Sequence, residues 1–345
     1  MEARYGDLIG LRGALDFHLI ESAALANNAL GDPSRRPLIV YTPPGYDPAG
    51  SQRYPVFYCL HGYTGDALSG VLARPWESNV VQWLDRLIVE KRVPAALLVL
   101  IDGFTRLGGS QFMNSVHNGD YATYVIHDAV GYVDERYRTI ARDGGRAVLG
   151  KSSGGYGAMH LAMEYPGTFC GFASHSGDSY FAYAATPGFA GTQRVLEANG
   201  YSIEAVVEGF EKKPKRPQHE YVAMEIFGYS AAYSPRSGRA FDIDLPFDIY
   251  TGELRDDVFS RWLAFDPVHR VLERDAALRS LRLRYLDCGR RDEYALDIGA
   301  RLVTRRMRQM GLEVRHEEFD DDHRSVGYRY EVSLTALGAV LDRNE

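Results

Sequence analysis

Residues 148–158 read VLGKSSGGYGA, and the interpretation of the whole chain starts from this stretch. An apolar run precedes it and a run typical of a helix follows it, so Gly-x-Ser-x-Gly lies between a predicted strand and a predicted helix. In a nucleophile elbow this turn holds a serine at its tip, and the N–H groups at the start of the helix point towards that serine. Glycine is favoured on both sides because a Cβ there would clash with a neighbouring strand or helix. We therefore predict Ser152 as the nucleophile and prefer it to Ser153, which has Lys151 rather than glycine two residues before it.

The composition is that of an ordinary globular protein. With 345 residues, the chain is long enough for one large α/β domain with an insertion, or for two domains. A formal net charge of −7 disfavours nucleic acid and anionic membranes as partners. The basic run KKPKR at residues 212–216 is interpreted as a solvated loop.

The termini and the cysteines bear on where the protein works. Residues 1–7 lack the charged and apolar segments of a signal peptide, and no apolar stretch is long enough to span a bilayer. The cysteines Cys59, Cys170 and Cys288 are far apart, in or beside predicted strands. They are interpreted as buried reduced thiols rather than a metal site or a disulfide framework, which predicts a cytoplasmic protein.

Strands and helices alternate along most of the chain. Residues 15–25 and 36–42 predict two early strands that form an antiparallel edge hairpin. Further strands, several of them apolar runs typical of strands buried on both faces, are predicted at residues 54–60, 95–101, 146–149, 171–176, 281–287 and 314–319. Helices are predicted at residues 80–91, 120–137, 156–165, 294–310 and 325–341. This alternation predicts an α/β fold with a mostly parallel central sheet and helices on both faces.

Residues 178–275 interrupt the alternation. The segment is rich in Tyr, Phe, Pro and Gly, with helical pieces near residues 193–199 and 203–210. Open α/β sheets bind ligands at the C-terminal ends of their strands, so we expect this insertion to cover those ends and to shape a pocket. A structural flap without substrate contact is the alternative. We predict a single domain, residues 1–345, with a cap-like insertion at about 178–275, before the penultimate strand.

A serine hydroxyl needs a base to accept its proton and a carboxylate to orient that base. In folds with this elbow, the acid and then the histidine follow the serine along the chain. Among the later histidines, His269 precedes the penultimate strand and His316 lies within the last strand. His323 lies in a loop just past the last strand, where catalytic groups are usually found. We therefore predict His323 as the base.

The acid is expected in the turn that follows the strand at residues 281–287. Asp292 lies in this turn and is the preferred candidate. Glu293 is the closest competitor and Asp287 the next, and each of the three could instead cap or neutralise a helix N-terminus.

The oxyanion hole needs two backbone N–H groups. One is expected from the residue after the nucleophile, Ser153, and the other from the loop after the strand at residues 54–60. We assign the second to Tyr63, because Gly62 allows the backbone to approach a substrate oxygen. His61 is expected to form local bonds that fix this loop.

Aromatic residues near predicted strand ends or in the insertion are candidates for the substrate pocket. Such linings favour acyl or aryl groups, although each side chain could equally pack within the insertion. The candidates are Phe104, Phe112, Tyr180, Phe181, Tyr183, Trp262 and Tyr294.

Several motifs together resemble one family. They are LHGY at residues 60–63, the helix-like segment at residues 120–139, GKSSGG at 150–155, DCGRRD at 287–292 and DH at 322–323. The chain resembles the putative-esterase family of α/β-hydrolases, which includes esterase D (S-formylglutathione hydrolase), enterochelin esterases, feruloyl esterases and the mycolyltransferases. The resemblance covers roughly residues 35–178 and 265–345.

The resemblance implies an α/β-hydrolase fold and places Ser152, Asp292 and His323 on catalytic positions, with Tyr63 and Ser153 on oxyanion positions. Two residues depart from the family pattern: Lys151 occupies a position that is often His or Gln, and Ser153 one that is often Met or Phe. The expected activity is that of a serine carboxylesterase acting on a small-molecule ester, without cofactor or metal. An acyltransferase or thioesterase with the same residues is the alternative, followed by a non-catalytic binding protein on a hydrolase scaffold. No nucleic-acid or membrane partner is expected, and a homo-oligomer is compatible with the sequence.

Overall fold

The computed structural model describes residues 9–343, and its centre is an eight-stranded, mostly parallel β-sheet. The residues assessed for a signal peptide lie outside the described part. The order of strands across the sheet is β1-β2-β4-β3-β7-β8-β9-β10, and β5 and β6 form a separate two-stranded hairpin. In chain order the strands are β1 (Ala14–Glu21), β2 (Arg35–Thr42), β3 (Val56–Leu60), β4 (Leu97–Ile101), β5 (Asn114–Ser115), β6 (Gly119–Asp120), β7 (Arg146–Lys151), β8 (Gly171–His175), β9 (Leu283–Gly289) and β10 (Arg315–Phe319).

The strand directions confirm the predicted architecture. β2 runs antiparallel to β1 on one side and to β4 on the other, which gives the expected antiparallel hairpin at the edge. All neighbours from β4 through β3 to β10 are parallel. All residues of β3, β4 and β8 are buried, as expected for strands covered on both faces.

Helices cover both faces of the sheet. Val80–Val89 and Tyr330–Val340 pack on one face. The elbow helix, Ser153–Glu164, and the helix Leu296–Gln309 pack on the other. The remaining helices of the sheet domain are Tyr121–Thr123, which continues through a π-helical turn at Tyr124–Ala129 into Val130–Arg136, then Pro267–Glu273 and Asp275–Ser280. Short 3₁₀ turns lie at Ala23–Leu25, Ala67–Gly70, Asp143–Gly145, Thr186–Gly188 and Val326–Arg329. None of the helices in residues 9–343 combines the length and apolarity needed to cross a bilayer.

The segment between β8 and β9 packs around an apolar cluster separate from those on the two faces of the sheet, and Leu30, Leu107, Met113 and Tyr156 from outside the segment also contribute to it. We call residues 181–265 the cap; its helices are Phe181–Ala184, Phe189–Ala198, Ile203–Lys212, Gln218–Tyr233 and Asp256–Leu263. The two ends of the cap meet at Asp266, whose carboxylate accepts the N–H groups of Tyr180 (2.9 Å) and Phe181 (2.8 Å). Beyond Asp266, Val268, Val271 and Leu278 pack with the elbow helix rather than with the cap. The division into one domain with an insertion at 178–275 stays a prediction.

The cap helix, Gln218–Tyr233, is the longest helix of the described chain and was absent from the predicted elements. Apolar residues lie on several of its sides, because much of it is enclosed by the cap cluster. A helix of this kind has little of the apolar–polar periodicity on which sequence prediction depends. The predicted pieces at 193–199 and 203–210 correspond to two real helices that are longer than expected.

The elbow is held by close backbone packing. Ser152 has φ 57° and ψ −126°, a strained conformation at the tip of the turn between β7 and the elbow helix. A Cβ added at Gly154 would lie 2.1 Å from the carbonyl oxygen of Leu60, and one at Gly150 would lie 2.3 Å from the carbonyl oxygen of Gly154. Only glycine allows β3, β7 and the elbow helix to approach one another this closely.

Replacing Gly154 with alanine should therefore destabilise the protein. We expect Gly154→Ala to lower the free energy of unfolding by about 1–3 kcal/mol, because backbone on β3 must move to accommodate the methyl group. Thermal unfolding followed by circular dichroism measures this as a fall of several degrees in Tm. Gly131→Ala is the matched control: a Cβ at this helical glycine meets nothing within 4 Å, so the same substitution should leave Tm unchanged or raise it. Equal Tm changes in the two variants would contradict the packing argument.

Candidate active site

The three side chains predicted to work together form a chain of contacts at hydrogen-bond distance, with His323 in the middle. Nε2 of His323 is 3.1 Å from Oγ of Ser152. Nδ1 of His323 is 2.8 Å from Oδ2 of Asp292. Ser152 comes from the elbow, Asp292 follows β9 and His323 follows β10, so all three lie at the C-terminal edge of the sheet.

The surroundings of Asp292 favour its ionised form. Its Oδ1 accepts the N–H of Tyr294 at 3.0 Å, and Oδ2 faces the ring of His323. Burial raises the pKa of Asp292, but the hydrogen bond and charge interaction with His323 outweigh burial and hold that pKa below its usual value. A carboxylate can only accept hydrogen bonds, so the ring proton of His323 lies on Nδ1, which donates to Asp292. Nε2 is then left to accept from the hydroxyl of Ser152.

The competing acid and histidines take other places in the structure. Oε2 of Glu293 accepts the backbone N–H of His323 at 2.9 Å, so Glu293 holds the loop rather than the ring. His269 lies on the helix Pro267–Glu273, and His316 lies within β10. The ring of His61 is within hydrogen-bond distance of the carbonyl of Gly62 (2.8 Å), next to it in the chain, and of the N–H of Gly103 (2.8 Å), just past β4. These contacts are those expected of a residue that fixes its loop.

A second Ser–His–Asp arrangement lies inside the protein. The ring of His175 contacts Asp287 through Nδ1 and Ser333 through Nε2, both at 2.7 Å. These residues are 2%, 1% and 0% exposed, so no substrate can reach the hydroxyl of Ser333. The carbonyl of His175 also accepts the N–H of Ser152 at 2.9 Å. Asp287, one of the candidate acids, thus belongs to a structural network beneath the elbow.

Two backbone N–H groups point to a candidate oxyanion site. Within residues 9–343, neither the N–H of Tyr63 nor that of Ser153 has an acceptor in the protein. A Cβ at Gly62 would lie 3.3 Å from Cβ of Ser152, so this loop runs directly beside the serine. The Ser153 side chain is fixed by a hydrogen bond to Oδ2 of Asp178 at 3.1 Å.

A cavity of about 360 Å³ opens at Ser152. Its floor and sides come from the sheet domain and its roof from the cap helix. It is lined by Gly62, Tyr63, Thr64, Lys151, Ser152, Asp178, Ala184, Gln218, Tyr221, Val222, Glu225, Tyr229, Tyr294, Leu296 and His323. Residues 9–343 contain no group of three or more His, Cys, Asp or Glu side chains placed to hold a metal ion. The cysteines Cys59, Cys170 and Cys288 are all buried and unpaired by disulfides.

Of the aromatic candidates, Tyr294 lines this cavity, with its ring edge against His323 at 4.9 Å between centroids. Phe181 and Trp262 are buried in the cap cluster. Phe112 is buried beneath the elbow helix against His61. Phe104 is 39% exposed. Tyr180 is stacked on Tyr183 at 4.7 Å.

Sequence reasoning missed the polar groups of the roof. Gln218, Tyr221, Glu225 and Tyr229 line the cavity from one face of the cap helix. Their spacing of three to four residues is the signal that could have revealed them, had the helix itself been predicted. Asp178, just after β8, was likewise not singled out, although it holds Ser153.

Two carboxyl groups at the cavity share one phenol. The hydroxyl of Tyr229 lies 3.1 Å from Oδ2 of Asp178 and 3.3 Å from Oε1 of Glu225. Asp178 also accepts from Gln111 (3.0 Å) and from Ser153. Burial, followed by the neighbouring charge of Asp178, raises the pKa of Glu225 to about 8. Burial also raises the pKa of Asp178, opposed first by its hydrogen bond from Gln111. Because a phenol has one proton, Tyr229 can donate to only one of the two carboxyl groups at a time.

Comparison with known proteins agrees with the fold. The model of the family described as putative esterase matches residues 29–332. Two curated relatives, Esterase Rv1288 and Esterase MT1326 from two strains of Mycobacterium tuberculosis, are each 28% identical over 138 residues. These matches cover 40% of this chain and 28% of each relative's length.

Solved structures are similar over nearly the whole chain. A ferulic acid esterase has a TM-score of 0.60 at 17% identity, with 96% of this chain and 100% of that chain covered. An S-formylglutathione hydrolase from Staphylococcus aureus has a TM-score of 0.57 at 12% identity, with 96% and 99% covered. Sheet order, elbow and strand-end site thus define an α/β-hydrolase. Within this class, the chain belongs to the putative esterase family.

The raised pKa of Glu225 should appear in the pH dependence of stability. An unfolded glutamate loses its proton near pH 4.5, whereas the folded protein holds this one to about pH 8. The resulting stabilisation is complete below pH 4.5 and is lost as the pH rises to 8. Glu225→Gln mimics the neutral acid, so we expect its Tm to match wild type at pH 5 and to exceed it by a few degrees at pH 9.

Differential scanning calorimetry at the two pH values measures this difference. Glu208→Gln is the control, since Glu208 is an exposed cap residue paired with Lys212 and should show the same offset at both pH values. A Tm difference for Glu225→Gln that is independent of pH would show that Glu225 is already ionised at pH 5.

Proposed function

We propose that the protein is a serine carboxylesterase that hydrolyses a small-molecule carboxylic ester through an acyl-enzyme on Ser152. The observation that carries the proposal is the hydrogen-bonded chain from Ser152 through His323 to Asp292, whose serine end lies at a cavity. Membership of the putative esterase family supports it. The names of the similar structures, ferulic acid esterase and S-formylglutathione hydrolase, belong to the same general chemistry of acyl hydrolysis.

In the first half of the reaction, Nε2 of His323 takes the proton of Ser152 as Oγ attacks the ester carbonyl carbon. The carbonyl oxygen gains a negative charge, which the N–H groups of Tyr63 and Ser153 stabilise at the start of the elbow helix. The tetrahedral intermediate then collapses. The bond to the alcohol oxygen breaks, His323 gives its proton to that oxygen, and the acyl group stays on Ser152.

In the second half, water replaces the alcohol. His323 accepts a proton from the water as its oxygen attacks the acyl carbon, and the same N–H groups hold the second oxyanion. Collapse returns the proton to Oγ of Ser152 and releases the carboxylic acid. Asp292 stays ionised throughout and stabilises the imidazolium that forms in each half.

Ser152→Ala should abolish turnover. We expect kcat on p-nitrophenyl acetate to fall by about 10⁴-fold to 10⁶-fold, because the attacking oxygen is lost while the cavity remains. Ser153→Ala is the matched neighbour: it keeps its backbone N–H and should retain most of the activity. A fluorophosphonate probe should label wild type and Ser153→Ala, but not Ser152→Ala. Labelling that disappears with Ser153 instead would assign the nucleophile to the wrong serine.

The choice of Asp292 over its neighbour can be tested separately. We expect Asp292→Asn to lower kcat by about 10⁴-fold, because an amide in this place no longer selects the productive tautomer of His323. Glu293→Gln still offers an oxygen to the N–H of His323, so its kcat should fall less than tenfold, on the scale of a single neutral hydrogen bond. Steady-state kinetics with p-nitrophenyl acetate distinguish the two. A larger loss in Glu293→Gln than in Asp292→Asn would reverse the assignment.

A further inference from the structure

The roof of the cavity is more acidic than ester hydrolysis requires. The three proposed catalytic groups lie on the sheet domain, yet the cap helix adds Glu225, and Asp178 follows β8. Neither carboxyl group contacts Ser152 or His323 through a hydrogen bond. Asp178 fixes the side chain of Ser153, so it is Glu225 whose role must be sought in what it offers to a molecule in the cavity.

The two carboxyl groups differ in exposure, because Asp178 is buried whereas Glu225 is partly exposed. Oδ2 of Asp178 receives three donors, from Gln111, Ser153 and Tyr229, and is satisfied. Glu225 is partly exposed at the cavity, and within residues 9–343 only its Oε1 has a hydrogen-bond contact, to Tyr229. Among residues 9–343 nothing pairs with Oε2 of Glu225, although the residue lines the cavity. A carboxyl group with an oxygen open to the cavity can pair with a positive charge on the ligand.

Aromatic rings surround the same part of the cavity. Tyr221 and Tyr229 lie one turn before and after Glu225 on the cap helix, and Tyr294 and Tyr63 line the cavity from the sheet domain. The faces of tyrosine rings attract cations, and the attraction grows when the cation is removed from water. Together, these tyrosine rings and the carboxyl group of Glu225 at the cavity favour a positively charged ligand over a neutral one of the same shape.

The cationic side chain of the cavity does not neutralise Glu225. Lys151 lines the cavity at the elbow, and burial lowers the pKa of its ammonium group. The charges that act on it most are those of Asp292 and Glu293, followed by Asp178 and Asp322, and Glu225 is not among them. The positive charge of Lys151 is therefore shared among these four acids, and Glu225 is left for the ligand.

We propose that the ester substrate carries an ammonium group, and that this group binds between Oε2 of Glu225 and the rings of Tyr221, Tyr229 and Tyr294. The inference rests on the proposed function, and it adds the substrate class. The ammonium group takes no part in bond making. Its arrival supplies the positive charge that lets Glu225 release its proton to solvent, so binding replaces a neutral acid by an ion pair.

The test compares three small molecules with the same tert-butyl-like head: choline (cationic), 3,3-dimethylbutan-1-ol (neutral) and 3,3-dimethylbutanoate (anionic). Isothermal titration calorimetry with the full-length protein measures their Kd without turnover, and competition against p-nitrophenyl acetate measures their Ki. We expect choline to bind about tenfold or more tightly than the neutral alcohol, as a desolvated cation–π and ion-pair site predicts. The anion should bind more weakly than choline.

Two variants assign the effect to Glu225. In Glu225→Gln the preference for choline over the alcohol should fall to near one, whereas Glu208→Gln on the neighbouring cap helix should retain it. Equal binding of choline and alcohol by wild type overturns the inference, and so does a preference that survives in Glu225→Gln. Tightest binding of the anion would overturn it in favour of recognition by Lys151. Hydrolysis of p-nitrophenyl acetate is read in parallel: its absence counts against the proposed function, while its presence without choline selectivity counts only against the ammonium site.

Discussion

The site depends on one constraint, the contact of backbone with backbone where β3, β7 and the elbow helix meet. At Gly150 and Gly154 there is no room for a single methyl group. This contact forces Ser152 into a conformation with φ 57°, which costs on the order of 1–3 kcal/mol for a residue other than glycine. The surrounding sheet holds that strain: the N–H of Ser152 is bonded to the carbonyl of His175, and His175 is itself held by Asp287 and Ser333. The serine lines the cavity because the backbone has no alternative path.

The parts of the fold that follow from local rules could be predicted from the sequence. Continuous apolar runs placed the central strands, with ends shifted by no more than two residues, and the Gly-x-Ser-x-Gly turn fell between a strand and a helix as expected. Chain order and strand ends then led to Asp292 and His323, which the structure brings to Ser152. Their catalytic roles stay predictions, as do those of the N–H groups of Tyr63 and Ser153.

The longest helix of the cap and its cavity residues escaped prediction for a physical reason. The aromatic residues of the cap suggested a pocket lining, but Phe181 and Trp262 are buried in the apolar cluster of the cap itself. The residues that do face the cavity are polar ones on the cap helix, and apolar neighbours on its other sides concealed their periodicity. Tyr294 was found because it follows Asp292 on the sheet domain, where strand ends locate a residue without knowledge of the cap.

The enclosed trio of Ser333, His175 and Asp287 bears on how such proteins are recognised. Its interatomic distances are at least as short as those at the elbow, so a search of coordinates for triad geometry alone would report two centres in this chain. The two differ in access and in backbone strain: the centre at Ser152 opens to a cavity and has a strained main chain, whereas the trio of Ser333, His175 and Asp287 is buried. Recognition of a hydrolase active site from coordinates therefore requires the solvent access of the serine and the strain of its backbone, in addition to its contact with an imidazole.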